Sequence, residues 1–509
     1  MNIVMKNDRP AAILPWGEAL GIQKDGYYTF LGVKYAEAAR FMPPETSAWE
    51  RGEAPSVLDC GSYRHKAMQV YDRVTPWSGP QDPAEFSEDC LNLNIYVPAD
   101  TVASGKSLPV LFMIHGGSFQ DGSNRSADIM PTLRDHEFIY VAINYRLGIL
   151  GYAYLKGLLG EKYAASGNLG TLDQMAALRF VHQNIAAFGG DPERITVIGA
   201  SAGGKAIGTL MLLPEFDRLA SQVIVSSGAT QAVRSVETAD KMTRNFLACM
   251  KEVTGSDDPK ALLTIDAHAL MQVQKKFIDN PGSTCMFGPV ADDVTIPVDY
   301  QQSAVSGTAF TGRAMVGSSL HELIFHQLAG KDLTVEGPII AHWLFGTNEV
   351  LCEQDYAQFL TENPDADQNA KNEFWTKILS DYMYRTYTER LAARLAKKGN
   401  RVWQYETCLY PALHVFDQML AFNDVSHFPF FRGEEAIQAA KVLGLKIYTS
   451  FINFVKNQDP NVGEEGLFPT WPTLDPVEPK KMAWDKETKV VAVSELPTLQ
   501  SFPEDVYRL

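Results

Sequence analysis

Short apolar, β-branched runs that stop at a turn recur along the chain. Leu108 to His115 (LPVLFMIH) runs into Gly116 and Gly117, and Phe138 to Asn144 (FIYVAIN) runs into Tyr145 to Gly148. Ile195 to Ile198 runs into Gly199, Ala200 and Ser201; further runs cover Gln222 to Val225, Arg313 to Val316 and Arg401 to Tyr405. Near-continuous apolar runs of this length predict strands buried on both faces, and therefore a mostly parallel sheet covered by helices. A helical pattern fills the gap from Leu172 to Ala187, with Gly189 and Gly190 as its stop signal. Strands alternating with helices predict an α/β fold. The stretches 231–300 and 323–400 are richer in helix formers and read as helical insertions over one end of the sheet.

Composition narrows this picture. The chain has 509 residues, 45% hydrophobic and 21% charged, which excludes disorder and collagen-like repeats. Its net charge of −16, with no basic cluster, argues against a nucleic-acid partner, because phosphate binding needs Lys and Arg. No apolar run is long enough to span a membrane. The first 17 residues carry Lys6, Asp8, Arg9 and Pro10 where a secretory leader needs an apolar core. Six cysteines (Cys60, Cys90, Cys249, Cys285, Cys352, Cys408) show no zinc spacing, so free thiols and a cytoplasmic location are expected. Length alone would suggest about three domains.

The chemistry centres on Gly199 to Gly203 (GASAG), a G-x-S-x-G sequence. This pattern sets a serine on a sharp strand-to-helix turn, where only small neighbours let the backbones approach. Alone it is short enough to arise by chance, but a strand pattern precedes it and a helix-compatible run from Gly204 to Leu212 follows. His115 to Phe119 (HGGSF) ends another strand, and glycines there let backbone N–H groups point at a developing oxyanion. In open α/β sheets, ligands sit beyond the carboxyl ends of the strands. A serine nucleophile also needs a base and an orienting acid, in chain order serine, acid, histidine for this fold. Glu322 and His414 each follow a predicted strand and satisfy that order, although periodicity alone does not select His414 from ten histidines.

Together these residues resemble the type-B carboxylesterases, the cholinesterase-like branch of the α/β hydrolases. The resemblance runs in order from about Phe30 to Pro472. It includes Ser87 to Asn94 (SEDCLNLN), Asn144 to Gly148, Asp173 with Gln174, and Phe188 to Pro192 before the serine. After it come Gly317 to Glu322 (GSSLHE), His414 to Asp417 (HVFD) with Phe422, and Trp471 with Pro472. It implies an α/β-hydrolase fold with a large, mostly parallel central sheet, formed by one domain with the helical insertions over its active site. It also implies hydrolysis of a small-molecule ester by Ser201, Glu322 and His414, with no cofactor and no metal. By resemblance, Gly117, Ser118 and Ala202 carry the oxyanion N–H groups, and Arg40 and Glu88 form a structural ion pair. Gly116, Phe119, Phe325 and His326 fall where the family lines its substrate site.

Some positions depart from the family. Ala200 stands where an acidic residue usually precedes the nucleophile, which weakens the case for cationic esters. Cys90 sits where the family often forms a disulfide, but the expected partner position holds Met68. Two other readings compete. His321, Glu322 and His326 invite comparison with an H-E-x-x-H zinc motif, but position 325 is Phe, so the spacing fails. A non-catalytic binding protein of the same fold would typically lack a triad member, whereas all three are present. Amide or lactone hydrolysis by the same groups stays open. Oligomeric state is not legible.

Overall fold

A computed structural model describes residues 3–72, 81–100, 105–125, 137–279, 287–300, 309–463, 466–496 and 501–503. Cys285 lies outside these residues. Eleven strands form the central sheet: β1 (Ile22–Lys24), β2 (Tyr27–Lys34), β3 (Asn92–Pro98), β4 (Leu108–Ile114), β5 (Ile139–Ile143), β6 (Gly190–Ala200), β7 (Gln222–Ser226), β8 (Arg313–Ser319), β9 (Val402–Thr407), β10 (Lys480–Trp484) and β11 (Lys489–Ala492). Their spatial order is β11-β10-β9-β8-β7-β6-β4-β5-β3-β2-β1. The pairings from β5 through β4 to β10 are parallel, and antiparallel pairs flank them at both ends. The strand runs read from the sequence are therefore the parallel centre.

Those strands are apolar throughout because both faces are covered. Along β4, Val110, Phe112 and Ile114 pack into one core while Leu111 and Met113 pack into the other, as a side-chain period of two requires. The first core receives Leu178 of α1 (Leu169–Asn184), Ile207 and Leu210 of α2 (Ala202–Leu210), and Leu391 of a long helix, Thr386–Lys398. The second receives Leu443, Ile447, Phe451 and Phe454 of the helix Glu434–Asn457. Within 231–300 lie α3 (Val236–Thr254) and α4 (Ala267–Asp279). Within 323–400 lie α5 (Ile324–Leu328), α6 (Leu333–Phe345), α7 (Glu349–Glu362) and α8 (Gln368–Ser380), then a π-helical turn, Asp381–Arg385, and α9, the Thr386–Lys398 helix. That last helix packs on β8 and β9, so this stretch also supplies part of the sheet's own covering layer.

Two features outside the sheet bear on its shape. A four-stranded sheet of Ile3–Lys6, Arg9–Leu14, Gly17–Leu20 and Val57–Asp59 precedes and flanks it. Arg40 forms the ion pair with Glu88, with Nε 2.9 Å from Oε2, and donates from Nη1 to the carbonyls of Leu262 and Ile265 at 3.0 and 2.6 Å. Cys60, Cys90, Cys352 and Cys408 are free thiols, and Met68 and Cys90 line the same cavity. No described helix is long and apolar enough to cross a membrane.

Candidate active site

β6 ends at Ala200 and α2 begins at Ala202, so Ser201 is the whole connection. Its backbone has φ 57° and ψ −123°, a conformation that L-residues rarely adopt and that persists only when the surroundings enforce it. Two glycines make it possible. A Cβ on Gly203 would come within 2.2 Å of the Ile114 carbonyl oxygen, and one on Gly199 within 2.6 Å of the Gly203 backbone. The Ser201 N–H donates to the Ser226 carbonyl at 3.0 Å, tying the turn to the neighbouring strand.

The loop after β4 passes directly against this turn. A Cβ on Gly116 would stand 3.4 Å from Ser201 Cβ. Gly117, Ser118 and Phe119 follow with φ of 104°, 54° and 59°. The carbonyl of Gly117 is taken up by the N–H groups of Gln120 and Asp121, and that of Phe119 by Gly148. The N–H groups of Gly117, Ser118 and Ala202 donate to no described group, which leaves three backbone donors beside the serine. His115, buried under this loop, stacks on Tyr145 at 4.4 Å, and its Nδ1 lies 2.8 Å from the Gly116 carbonyl. Burial pushes its pKa down to about 4, so the ring is neutral near pH 7.

The other half of the site is assembled from distant segments. Glu322, fully buried in the turn after β8, accepts from Ser227 Oγ at 2.6 Å and from the Ser319 N–H at 2.7 Å. Its second oxygen lies 2.5 Å from His414 Nδ1. Two backbone bonds hold the acid and histidine loops together: His414 N–H to the Glu322 carbonyl, and His321 N–H to that of Ala412, both 3.0 Å. His414 Nε2 is buried with no partner among the described residues, and Tyr384 of the π-helical turn lies against the imidazole at 4.3 Å. A second carboxylate, Asp417, accepts from Ser226 Oγ and Tyr405 Oη, each at 2.5 Å, and burial raises its pKa.

The remaining sequence candidates are placed as follows. Phe119 is buried against Tyr152, ring centroids 5.1 Å apart. Phe325 and His326 sit half-buried on α5 and contact each other at 4.3 Å, with no described bond or ring contact to Ser201 or His414. Ser226, Ser227, Tyr384 and Lys205 were not singled out by sequence. A serine or tyrosine inside an apolar run carries no signal of its own. Lys205 did carry one, a lone cation in an otherwise apolar helix.

A strained serine between a central parallel strand and its helix, with a glycine loop and a carboxylate–histidine pair beyond the same strand ends, is the architecture of an α/β hydrolase. The chain belongs to the carboxylesterase family, which it matches over residues 10–500, and the reaction class is carboxylic ester hydrolysis. It is 34% identical over 317 residues to the para-nitrobenzyl esterase of Bacillus subtilis, covering 60% of this chain and 62% of that one. It is 28% identical to the phenmedipham hydrolase of Pseudarthrobacter oxydans, over 95% of this chain and 97% of that one. Among solved structures, the Geobacillus stearothermophilus carboxylesterase superposes with a TM-score of 0.77 at 28% identity, covering 96% of this chain and 98% of that one.

Proposed function

We propose that the protein hydrolyses neutral carboxylic esters through an acyl-enzyme formed on Ser201. The observation that carries this reading is the 2.5 Å pair between Glu322 and His414, which follows strands of the same parallel sheet whose β6 ends at a serine on a strained turn. His414 takes the proton of Ser201 through Nε2 as Oγ attacks the ester carbonyl, and Glu322 holds the imidazole and stabilises its charged form. The N–H groups of Gly117, Ser118 and Ala202 receive the oxyanion, the last at a helix start whose dipole favours negative charge. The alcohol leaves with the proton from His414, and water activated by the same ring then releases the acid.

Ala200 favours neutral over cationic esters, because no carboxylate stands next to the serine in the chain. The segments 231–300 and 323–400 are proposed to cover the site and set acyl and alcohol size, with Gly116, Phe119, Phe325 and His326 in or near the substrate wall. The free thiols of Cys60, Cys90, Cys352 and Cys408 fit a reducing, cytoplasmic compartment. The test is Ser201→Ala assayed on para-nitrophenyl acetate, together with mass-spectrometric mapping of a fluorophosphonate label. A loss of roughly 10⁵-fold or more in kcat, with label on Ser201 of the parent protein, is expected. Retention of most activity, or label on another residue, overturns the assignment.

A further inference from the structure

Lys205 is the fourth residue after Ser201, and its N–H donates to the Ser201 carbonyl at 2.8 Å. Side chains on a helix tilt toward its N-terminus, so this lysine leans back toward the turn that carries the serine. It is 2% exposed. Its Nζ lies 4.8 Å from the centroid of the Tyr384 ring, and the imidazole of His414 lies 4.3 Å from that same centroid. A buried cation and the histidine thus share one aromatic ring.

We propose that Lys205 is a positioning residue for the base: its ammonium, held on Tyr384, disfavours the imidazolium form of His414 and keeps that ring ready to accept a proton in mildly acidic conditions. The proposal rests on His414 being the base. Its physics is like-charge repulsion across a dry, low-dielectric interior, where one neighbouring cation makes a second more costly to form. A cation on an aromatic face is itself a favourable placement.

The other charged and titratable groups come from several elements. Around Lys205 they are Glu322 from the turn after β8, Arg234 from the segment after β7, and the Tyr384 phenol. Around His414 they are Glu322 and Tyr384, with Asp417 three residues along, held by Ser226 and Tyr405. Arg385 and Asp381, which flank Tyr384, are engaged with each other and with Glu406 and Lys377. Glu322 attracts both cations, so it does not distinguish them; Lys205 is the group that sets His414 against a competing positive charge. Burial, helped by Arg234 and opposed by Glu322, pushes the lysine down to about 7. Its charge is therefore present below neutrality and is largely lost above it.

The turn that presents Tyr384 is a π-helical insertion, a local irregularity often found at functional sites. It is fixed from behind by Arg385, which donates to Glu406 at 2.8 and 3.2 Å, while Lys481 approaches Glu406 at 3.2 Å. The turn that carries the shared ring is thus held at both ends, by Asp381 paired with Lys377 and by Arg385.

The experiment measures kcat/KM against pH for Lys205→Met, Lys205→Arg and Tyr384→Phe, using para-nitrophenyl acetate, with fluorophosphonate labelling of each variant as a check on the serine. Lys205→Met is expected to move the acid limb up by about one pH unit, while its rate at pH 9 stays within roughly threefold of the parent. Lys205→Arg, which keeps a permanent cation, leaves the limb at or below its original position, and Tyr384→Phe, which keeps the ring, leaves it in place. A Lys205→Met limb that coincides with the parent, or a Lys205→Arg limb that moves up with it, overturns the proposal. If Lys205→Met does not fold, Lys205→Gln carries the same expectation and the same failure. Label on a residue other than Ser201 would instead sink the serine mechanism itself; label on Ser201 in every variant with an unmoved limb sinks only the role of Lys205.

Discussion

The two halves of the proposed site are built in opposite ways. The donor half is local: Gly116 to Phe119 is one turn, and its partner Ala202 is the next residue after the serine. The acid–base half draws Ser227, Ser319 with Glu322, Tyr384 and His414 from four segments and joins them by side-chain and backbone bonds and one ring contact. A local half depends on backbone shape, which few residue types can supply. A dispersed half depends on polar partners, each of which leaves another group unsatisfied if removed. Substitutions should therefore act on the first through geometry and on the second through charge and tautomer.

The largest effect expected from breaking this division is at Glu322. Glu322→Gln preserves an oxygen for Ser319 and Ser227 but removes the charge proposed to orient and stabilise the imidazolium. We expect kcat to fall by about 10²–10⁴-fold with little change in KM, measured by steady-state hydrolysis. Next comes the donor half. Gly117 has φ of 104°, and a Cβ there would lie 2.1 Å from the Asp121 carbonyl oxygen. Gly117→Ala should displace the donor turn and cost roughly 10²–10³ in kcat while His414 and Glu322 stay paired. A change confined to KM would contradict the role given to these N–H groups.

Asp417 offers a finer comparison, because it is a buried carboxylate that touches the structure around the base without touching the imidazole. Asp417→Asn keeps an acceptor for Ser226 and Tyr405, so kcat/KM should fall by less than about tenfold, far less than for Glu322→Gln. Equal losses at the two positions would erase the distinction between them.

A separate effect, on stability and not on rate, is in acid. His115 is held near 4 when folded, against a reference near 6.5 when unfolded. A folded pKa below the unfolded one means that the unfolded chain binds the extra proton first. Stability is thus fully present above about pH 6.5 and is lost as pH falls toward 4, by on the order of 3 kcal/mol. Thermal melts across that window should show the decline, and His115→Gln should flatten it.

How far the sequence could be read follows the same division. The parallel strands were legible because a strand covered on both faces has no polar positions, and Ser201 and the Gly117 turn were legible because unusual backbone shapes demand glycine. The strands Ile3–Lys6 to Val57–Asp59 were not, since short strands bearing Arg9 and Glu18 mix polar and apolar positions without a sustained period. The last two strands of the sheet, β10 and β11, share that difficulty. Within the site, Glu322 and His414 were selected by chain order and by resemblance, not by local pattern. Tyr384 could not be found at all, because its position depends on one π-helical turn that shifts the register of the ring.

Arg40 shows what such a fold implies for cutting and rejoining the chain. One guanidinium fastens Glu88 and the carbonyls of Leu262 and Ile265, so segments more than 170 positions apart in sequence are secured at a single point. An N-terminal fragment ending before residue 262 would leave that guanidinium with half its acceptors, and a C-terminal fragment starting after residue 40 would leave the carbonyls and Glu88 without a donor. Split versions of this enzyme divided between residues 88 and 262 should therefore recover activity only when both pieces are present together, the missing half acting in effect as a ligand for the other.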